Sequence, residues 1–415
     1  VLPSWPYLTK SFSGIPGEIK AYPEDFIVEE IPAYEASGEG DHTYFLVEKR
    51  GVTTLDMIRR LARALGRSER DFGYAGLKDS RAITRQMVSL EHADEKQIAS
   101  LELDGIKIIS INRHSNKIKL GHLSGNKFWI KLRNTVSNAK AASEPCLKML
   151  AERGVPNYFG VQRFGIRGDS WILGRSILHE DYKEFMAQLC GRPADFEKDH
   201  IRKARELYDK GMYELAGQVW PGFFRDAKRC CKILAGNPEG HFKAFTTVDR
   251  KLIKLFLSAY QSYLFNEVMA KRIDTLDKII PGDLAAREDN GAVFRVEDVA
   301  VEQDRADRFE ISPTGPIYGY RMMEAGGAEK EIEDSILKEE RITLEDFKKP
   351  KGLKLRGSRR TFRVRMYNLE VDEGSDVNGA YLYLRFDLPS GSYATAVLRE
   401  LMKEYFEPQS GILSE

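Results

Sequence analysis

Phe72-Gly-Tyr-Ala-Gly-Leu-Lys-Asp-Ser-Arg-Ala-Ile-Thr-Arg-Gln86 lies between a helical pattern and a strand pattern, and sets one carboxylate, Asp79, among glycines and cations. Upstream, Thr53 and Asp56 form a capping-box-like start, and Leu55, Ile58, Leu61, Ala62 and Leu65 recur at helical spacing before Gly66. That pattern predicts a helix with one apolar face. Downstream, the β-branched and apolar residues of 82–90 predict a strand behind the loop. Gly73 and Gly76 open backbone angles closed to other residues, and Lys78, Arg81 and Arg85 favour the ionised form of a neighbouring acid. An ionised, positioned aspartate can serve as nucleophile or base. A solvated turn would carry the same residues, so the loop does not decide by itself.

Working outward, residues 1–50 are β-rich, with strands predicted at 26–31 and 42–49. Lys20, just before a turn, is a candidate cation for the site. Three further strands are predicted at 107–111, 117–120 and 126–133. The last two alternate apolar and basic residues, which gives a packed face and a basic face bearing Lys127 and Lys131. A helix over 136–153 then leads to Gly154-Val-Pro-Asn-Tyr-Phe-Gly-Val-Gln-Arg-Phe-Gly165, a loop dense in aromatics, amide and arginine. Such mixtures stack on bases and hold phosphates, and they equally make an aromatic core around a tight turn.

Residues 169–275 read as helical, with apolar spacing in 181–189, 201–215 and 252–269, and Tyr260, Tyr263 and Phe265 as packing residues. Turn residues and short strands return in 281–320, where 311–319 is too rich in proline and glycine for helix and reads as a shaped loop. A charged surface helix is predicted over 332–341, then strands over 361–371 and 380–388. A final turn offers Ser390 or Ser392 as the cap of a last helix.

With 415 residues, of which 42% are hydrophobic and 31% charged, the chain has room for two or three domains. No signal-peptide pattern or membrane-length apolar run is found, so a cytoplasmic protein is expected. Cys146, Cys190, Cys230 and Cys231 contain no Cys-x-x-Cys pair and the histidines are scattered. Reduced thiols and no metal are expected. A net charge of +1 hides an uneven distribution. No acid lies between Asp104 and Glu144, nor between Asp346 and Glu370, and the second gap holds Arg359 and Arg360. Basic segments interleaved with strand residues suit a phosphate backbone, although a charge run also fits a plain solvated face.

Gly-Leu-Lys-Asp79 with Arg81-Ala-Ile-Thr84, Asn157-Tyr-Phe-Gly-Val-Gln-Arg-Phe-Gly165 and Leu388-Pro-Ser-Gly-Ser-Tyr-Ala-Thr395 together resemble the TruD family of RNA pseudouridine synthases. Pro23-Glu-Asp-Phe-Ile-Val-Glu-Glu30, Tyr260-Gln-Ser-Tyr-Leu-Phe-Asn266 and Ser312-Pro-Thr-Gly-Pro316 extend the resemblance over nearly the whole chain. The length and the Ala-Ile-Thr form look more like archaeal than bacterial members.

The resemblance implies an α+β fold. A catalytic domain, with a mixed, largely antiparallel sheet flanked by helices, would occupy 1–170 and 370–415, interrupted by an inserted α+β domain over 171–369. It implies isomerisation of a uridine in RNA, namely uridine 13 of transfer RNA, with no cofactor or metal; the sequence leaves the oligomeric state open, with a monomer favoured. Asp79 would be the catalytic group, acting on the sugar or on the base. Lys20, Asn157, Phe159 and Tyr393 would hold the flipped nucleotide; many relatives have Phe where this chain has Tyr393. Arg163, Lys127, Lys131, Arg359 and Arg360 are the candidate RNA contacts. A non-catalytic RNA-binding protein and a hydrolase with an aspartyl nucleophile are the rival readings.

Overall fold

The computed structural model of the protein describes residues 3–78, 80, 82–350 and 352–406. In chain order the strands are β1 (Phe26–Pro32), β2 (His42–Arg50), β3 (Phe72–Tyr74), β4 (Ile83–Glu91), β5 (Ile106–His114), β6 (Leu123–Arg133) and β7 (Val155–Pro156). Then follow β8 (Leu284–Arg287), β9 (Val293–Arg295), β10 (Ile311–Ile317) and β11 (Ser358–Thr361). The last three are β12 (Arg363–Val364), β13 (Tyr367–Asp376) and β14 (Gly379–Pro389). Two compact units result. One comprises Tyr7–Asn157 and the chain returning from Arg363; the other comprises Tyr158–Phe362 and the residues before Tyr7. The changes of unit fall at Asn157/Tyr158 and Phe362/Arg363, whereas sequence placed them at 170 and 370.

The first unit is built on an eight-stranded sheet in the order β13-β14-β6-β1-β4-β2-β5, with β3 paired to β4. Only β1 and β4 run parallel; the other pairs are antiparallel. The Thr54–Leu65 helix forms as its sequence predicts. Thr53 accepts the Asp56 N–H at the start, and Gly66 ends the helix at φ 64°, a left-handed angle that glycine takes without strain. Met57, Ile58, Leu61 and Leu65 pack on Phe45, Val47, Val88 and Leu90. Leu55, which sequence placed on that face, is 48% exposed, and Met57 is buried there.

Residues 117–120 are not a strand. Ile118 is buried, but its N–H donates at 3.0 Å to the side-chain Oγ of Ser89 in β4 rather than to a backbone carbonyl of a neighbouring strand. Four alternating residues supply a pattern without supplying a partner. Tyr393 precedes the Ala394–Met402 helix as its N-cap, so neither Ser390 nor Ser392 fills the capping position expected of them.

In the second unit the Arg250–Arg272 helix is buried on most sides and packs on Ser170–Leu178. The approach is close: a Cβ on Gly174 would stand 2.1 Å from the Phe256 carbonyl oxygen. Tyr260, Tyr263 and Phe265 are core, as expected. Four strands order as β11-β10-β8-β9. The expected loop at 311–319 is in fact β10, buried through Pro316. Ile311, Ser312 and Pro313 pair with β8, and Thr314 to Ile317 pair with β11, so no single ladder runs through both prolines.

The helix expected to lie on the surface spans Gly327–Glu339 and buries Glu329 and Glu333. They face Arg272, Asp283 and Arg359, with Tyr318 beside them. Arg272 Nη1 meets Glu329 Oε2 at 2.6 Å and Asp283 Oδ1 at 3.1 Å, and Arg359 Nη2 meets Glu333 Oε1 at 2.6 Å. Burial pushes Glu329 up to about 8; Arg272 opposes the shift while Asp283 and Glu333 add to it. Asp283 and Glu333 are raised too, again chiefly by burial. A carboxyl raised in the folded state holds its proton there and releases it in the unfolded chain. Stability is therefore greatest below the ordinary glutamate range and falls as pH rises through about 8. Melting curves of Glu329→Gln should have a shallower fall than wild type between about pH 5 and 8. An equal slope would place that titration elsewhere.

Candidate functional site

Asp79 and Arg81 lie outside the described residues, but the chain on either side of them is anchored. Before them, the Lys78 ammonium donates to Asn126 Oδ1 at 2.6 Å and pairs with Glu30 Oε1 at 3.2 Å. The Lys78 N–H donates to the Thr54 Oγ1 at 2.9 Å, and that hydroxyl donates onward to Gln86. The Lys78 carbonyl accepts from the fully buried ammonium of Lys49 at 3.2 Å. After them, the chain enters β4 at Ile83, which stands opposite Ile27, next to Phe26. Lys20 lies at that end, with its ammonium 4.5 Å from the Phe26 ring centroid.

Sheet register explains why these groups meet. Asn126 of β6 stands opposite Glu30 of β1 on one side and Leu388 of β14 on the other. Lys78 therefore ties the loop to two neighbouring strands, and Leu388 is where the chain turns towards Tyr393. Burial raises the Glu30 carboxyl, and the Lys78 ammonium pulls it part of the way back. Lys20 holds φ 57°, an uncommon angle for a residue with a Cβ. Asn157 follows β7, whose Val155 and Pro156 pair with Val364 and Arg363, and it is buried. Tyr393 is 45% exposed.

The second unit supplies an aromatic and cationic group of its own. The Phe159 ring is half-buried, edge-on to Phe265 with centroids 5.6 Å apart. The guanidinium of Arg360 lies 4.3 Å from its centroid and that of Arg163 lies 5.4 Å away. Arg163 also donates to the hydroxyls of Ser262 and Ser258 at 2.8 and 2.5 Å. A half-buried ring flanked by arginines can stack on a base while its neighbours hold phosphate.

Two expectations about charge are corrected. Arg359 is not a surface cation: its side chain is 2% exposed, bound to Glu333 and to Thr314, because β11 points it inward. Nor is the outer face of β6 simply basic. Lys127 pairs with Glu29 at 3.4 Å, and Lys131 and Arg133 pair with Asp376 at 2.7 and 2.8 Å. Neighbouring strands bring carboxylates to cations that are acid-free only along the sequence.

Sequence reasoning also passed over Lys49, Glu30, Asn126 and Asn266. Lys49 had a visible signal, since it falls on the inward face of β2 in step with Phe45 and Val47. All four cysteines are buried and free, and among the described residues no group of His, Cys, Asp and Glu could hold a metal ion. No helix among them is long and apolar enough to cross a membrane.

The family model for tRNA pseudouridine synthase D (TruD) matches residues 4–401. Among curated relatives, the tRNA pseudouridine synthase D of Geobacter metallireducens is 48% identical over 397 residues, covering 96% of this chain and 97% of the relative. That of a Thermus thermophilus strain is 36% identical over 402 residues, covering 96% and 92%. A crystal structure from Methanosarcina mazei, described under the same name, superposes with a TM-score of 0.85 at 29% identity, covering 97% of this chain and 96% of that one. An eight-stranded mixed sheet with an anchored loop, interrupted by a helix-rich unit, is thus the α+β architecture of an RNA-modifying isomerase. The chain belongs to the TruD family and is an RNA pseudouridine synthase. The leaning towards archaeal members is overturned, since the Geobacter relatives are bacterial.

The two neighbouring arginines of β11 should now behave differently. Arg359→Ala leaves the buried Glu333 without its cation and should cost roughly 3–5 kcal/mol of stability. Arg360→Ala, at a half-buried side chain, should lower the melting temperature less than Arg359→Ala does, weaken RNA binding and flatten its salt dependence. Melting curves and binding isotherms across salt check both. Equal melting temperatures for the two variants would refute the division.

Proposed function

We propose that the protein converts uridine 13 of transfer RNA to pseudouridine, with Asp79 as the catalytic group and the target base flipped out of its stack. The reaction is an isomerisation. The glycosidic N–C bond breaks, the uracil turns, and a C–C bond forms to the same ribose; the newly bonded ring carbon gives up its proton and the freed ring nitrogen takes one up, so the composition is unchanged and no cofactor or metal is required. A base cannot turn about its glycosidic bond while stacked, so the enzyme needs an aromatic surface for the displaced base and cations for the backbone.

The observation that carries this reading is the half-buried Phe159 ring with Arg360 and Arg163 against it. The exposed ring of Tyr393 and the anchoring of Lys78, the residue before Asp79, support it. Lys20 and Asn157 complete the proposed nucleotide contacts; Lys127 and Lys131 are RNA contacts if RNA displaces their carboxylate partners. The unit on the eight-stranded sheet is the catalytic domain, and the unit from Tyr158 is its insertion. The enzyme works as a cytoplasmic monomer on transfer RNA, the substrate in its relatives' names.

Transfer RNA incubated with the purified protein should acquire pseudouridine at position 13. Asp79→Asn should bind RNA but not turn over, because the amide keeps the shape and loses the charge and nucleophilicity. Phe159→Ala should slow conversion about tenfold or more, since base stacking contributes roughly 1–3 kcal/mol, while Tyr393→Phe keeps its ring and should be mild. Modification at another uridine would overturn the target and leave the chemistry standing. Turnover by Asp79→Asn near the wild-type rate would refute the mechanism.

A further inference from the structure

Asn266 is fully buried in the Arg250–Arg272 helix, and both polar atoms of its side chain are directed to one residue. Its Oδ1 accepts the Phe159 N–H at 2.9 Å, and its Nδ2 donates to the Phe159 carbonyl at 3.0 Å. A single amide orientation satisfies both bonds, and it imitates the pairing a neighbouring strand would give. Ser258, Ser262 and Asn266 are spaced by four and share one helical face, whose hydroxyls take Arg163 while Phe265, beside Asn266, meets the Phe159 ring. One helix thus holds backbone, ring and cation of the Phe159–Arg163 loop together.

We propose that Asn266 is a positioning residue for the isomerisation: it fixes the backbone of Phe159, so that the ring is already in place when the base leaves its stack. The inference rests on the reading of Phe159 as a ring that meets the displaced base. A loop whose N–H and carbonyl lost these partners would be free to change its φ and ψ, and a ring on a wandering backbone would hold the base only part of the time. Asn266 touches no substrate in this scheme, and its effect passes wholly through Phe159. A buried asparagine that merely satisfies the core would act on stability alone.

A double-mutant cycle separates these roles. Single-turnover conversion of transfer RNA and melting temperature are measured on wild type, Asn266→Ala, Phe159→Ala and the double variant. Asn266→Ala should slow conversion by about tenfold, but by less than about twofold where Phe159 is already alanine. Asn266→Asp keeps the acceptor for the Phe159 N–H and loses the donor to its carbonyl, so it should fall between; it also takes over the cycle if Asn266→Ala does not fold. Losses that multiply in the double variant would overturn the positioning role while leaving Phe159 in the site. So would a folded Asn266→Ala that converts RNA at the wild-type rate. A wild-type rate for Phe159→Ala would overturn the parent reading, and this inference with it.

Discussion

A nearly buried ammonium holds the strands of the eight-stranded sheet in register. Lys78 shares its charge between Glu30 on β1 and Asn126 on β6, while its own N–H and carbonyl are taken by Thr54 and Lys49. Burying such a charge is unfavourable unless it is paired and hydrogen-bonded, and here both conditions are met. The arrangement is demanding. A slip of β1 against β6 by one residue would turn Glu30 to the opposite face and leave the ammonium with only part of its set. The geometry of the loop and the pairing of the strands therefore depend on the same few bonds.

Much of the fold was legible because it is written in local patterns. The Thr54–Leu65 helix announced its cap, apolar face and terminal glycine, and β1, β2, β4, β6 and β14 showed their composition. Reading failed where the reason for a structure lies far along the chain. β10 looked like a loop because its prolines and glycines are poor strand formers. It is a strand because β8 and β11 each complete half of it. Residues 117–120 looked like a strand and lacked a partner. Within the candidate site, the motifs pointed to Phe159 and Asn157, but the groups that hold them are dispersed: Asn266 reaches Phe159 across 107 positions of sequence.

Charge shows the same limit. Counting acids along the chain made 105–143 and 347–369 look uniformly basic, yet folding places Glu29 and Asp376 against Lys127, Lys131 and Arg133, and Glu333 against Arg359. The sum of charges survives folding, but the field presented outward does not. Arg360, next to Arg359 in sequence, lies over the Phe159 ring, because adjacent residues of a strand point to opposite faces. Two adjacent arginines thus divide between holding the core together and facing a ring.

The insertion leaves and rejoins its host across a two-residue ladder, where Val155 and Pro156 pair with Val364 and Arg363. Seen from the host, the whole of Tyr158–Phe362 is the loop of a hairpin. Closing a flexible loop of that length carries an entropic cost, although each doubling adds only about 0.6 kcal/mol. The insertion removes much of that cost by its own packing: Phe159 meets Phe265 at 5.6 Å, and Phe265 stacks on Phe362 at 5.9 Å. Once it has folded, its first and last residues are already gathered around one ring, and the host has only a short gap to close. The aromatic cluster that presents Phe159 is then also the clasp by which a long interruption becomes, for the chain on either side of it, a tight turn.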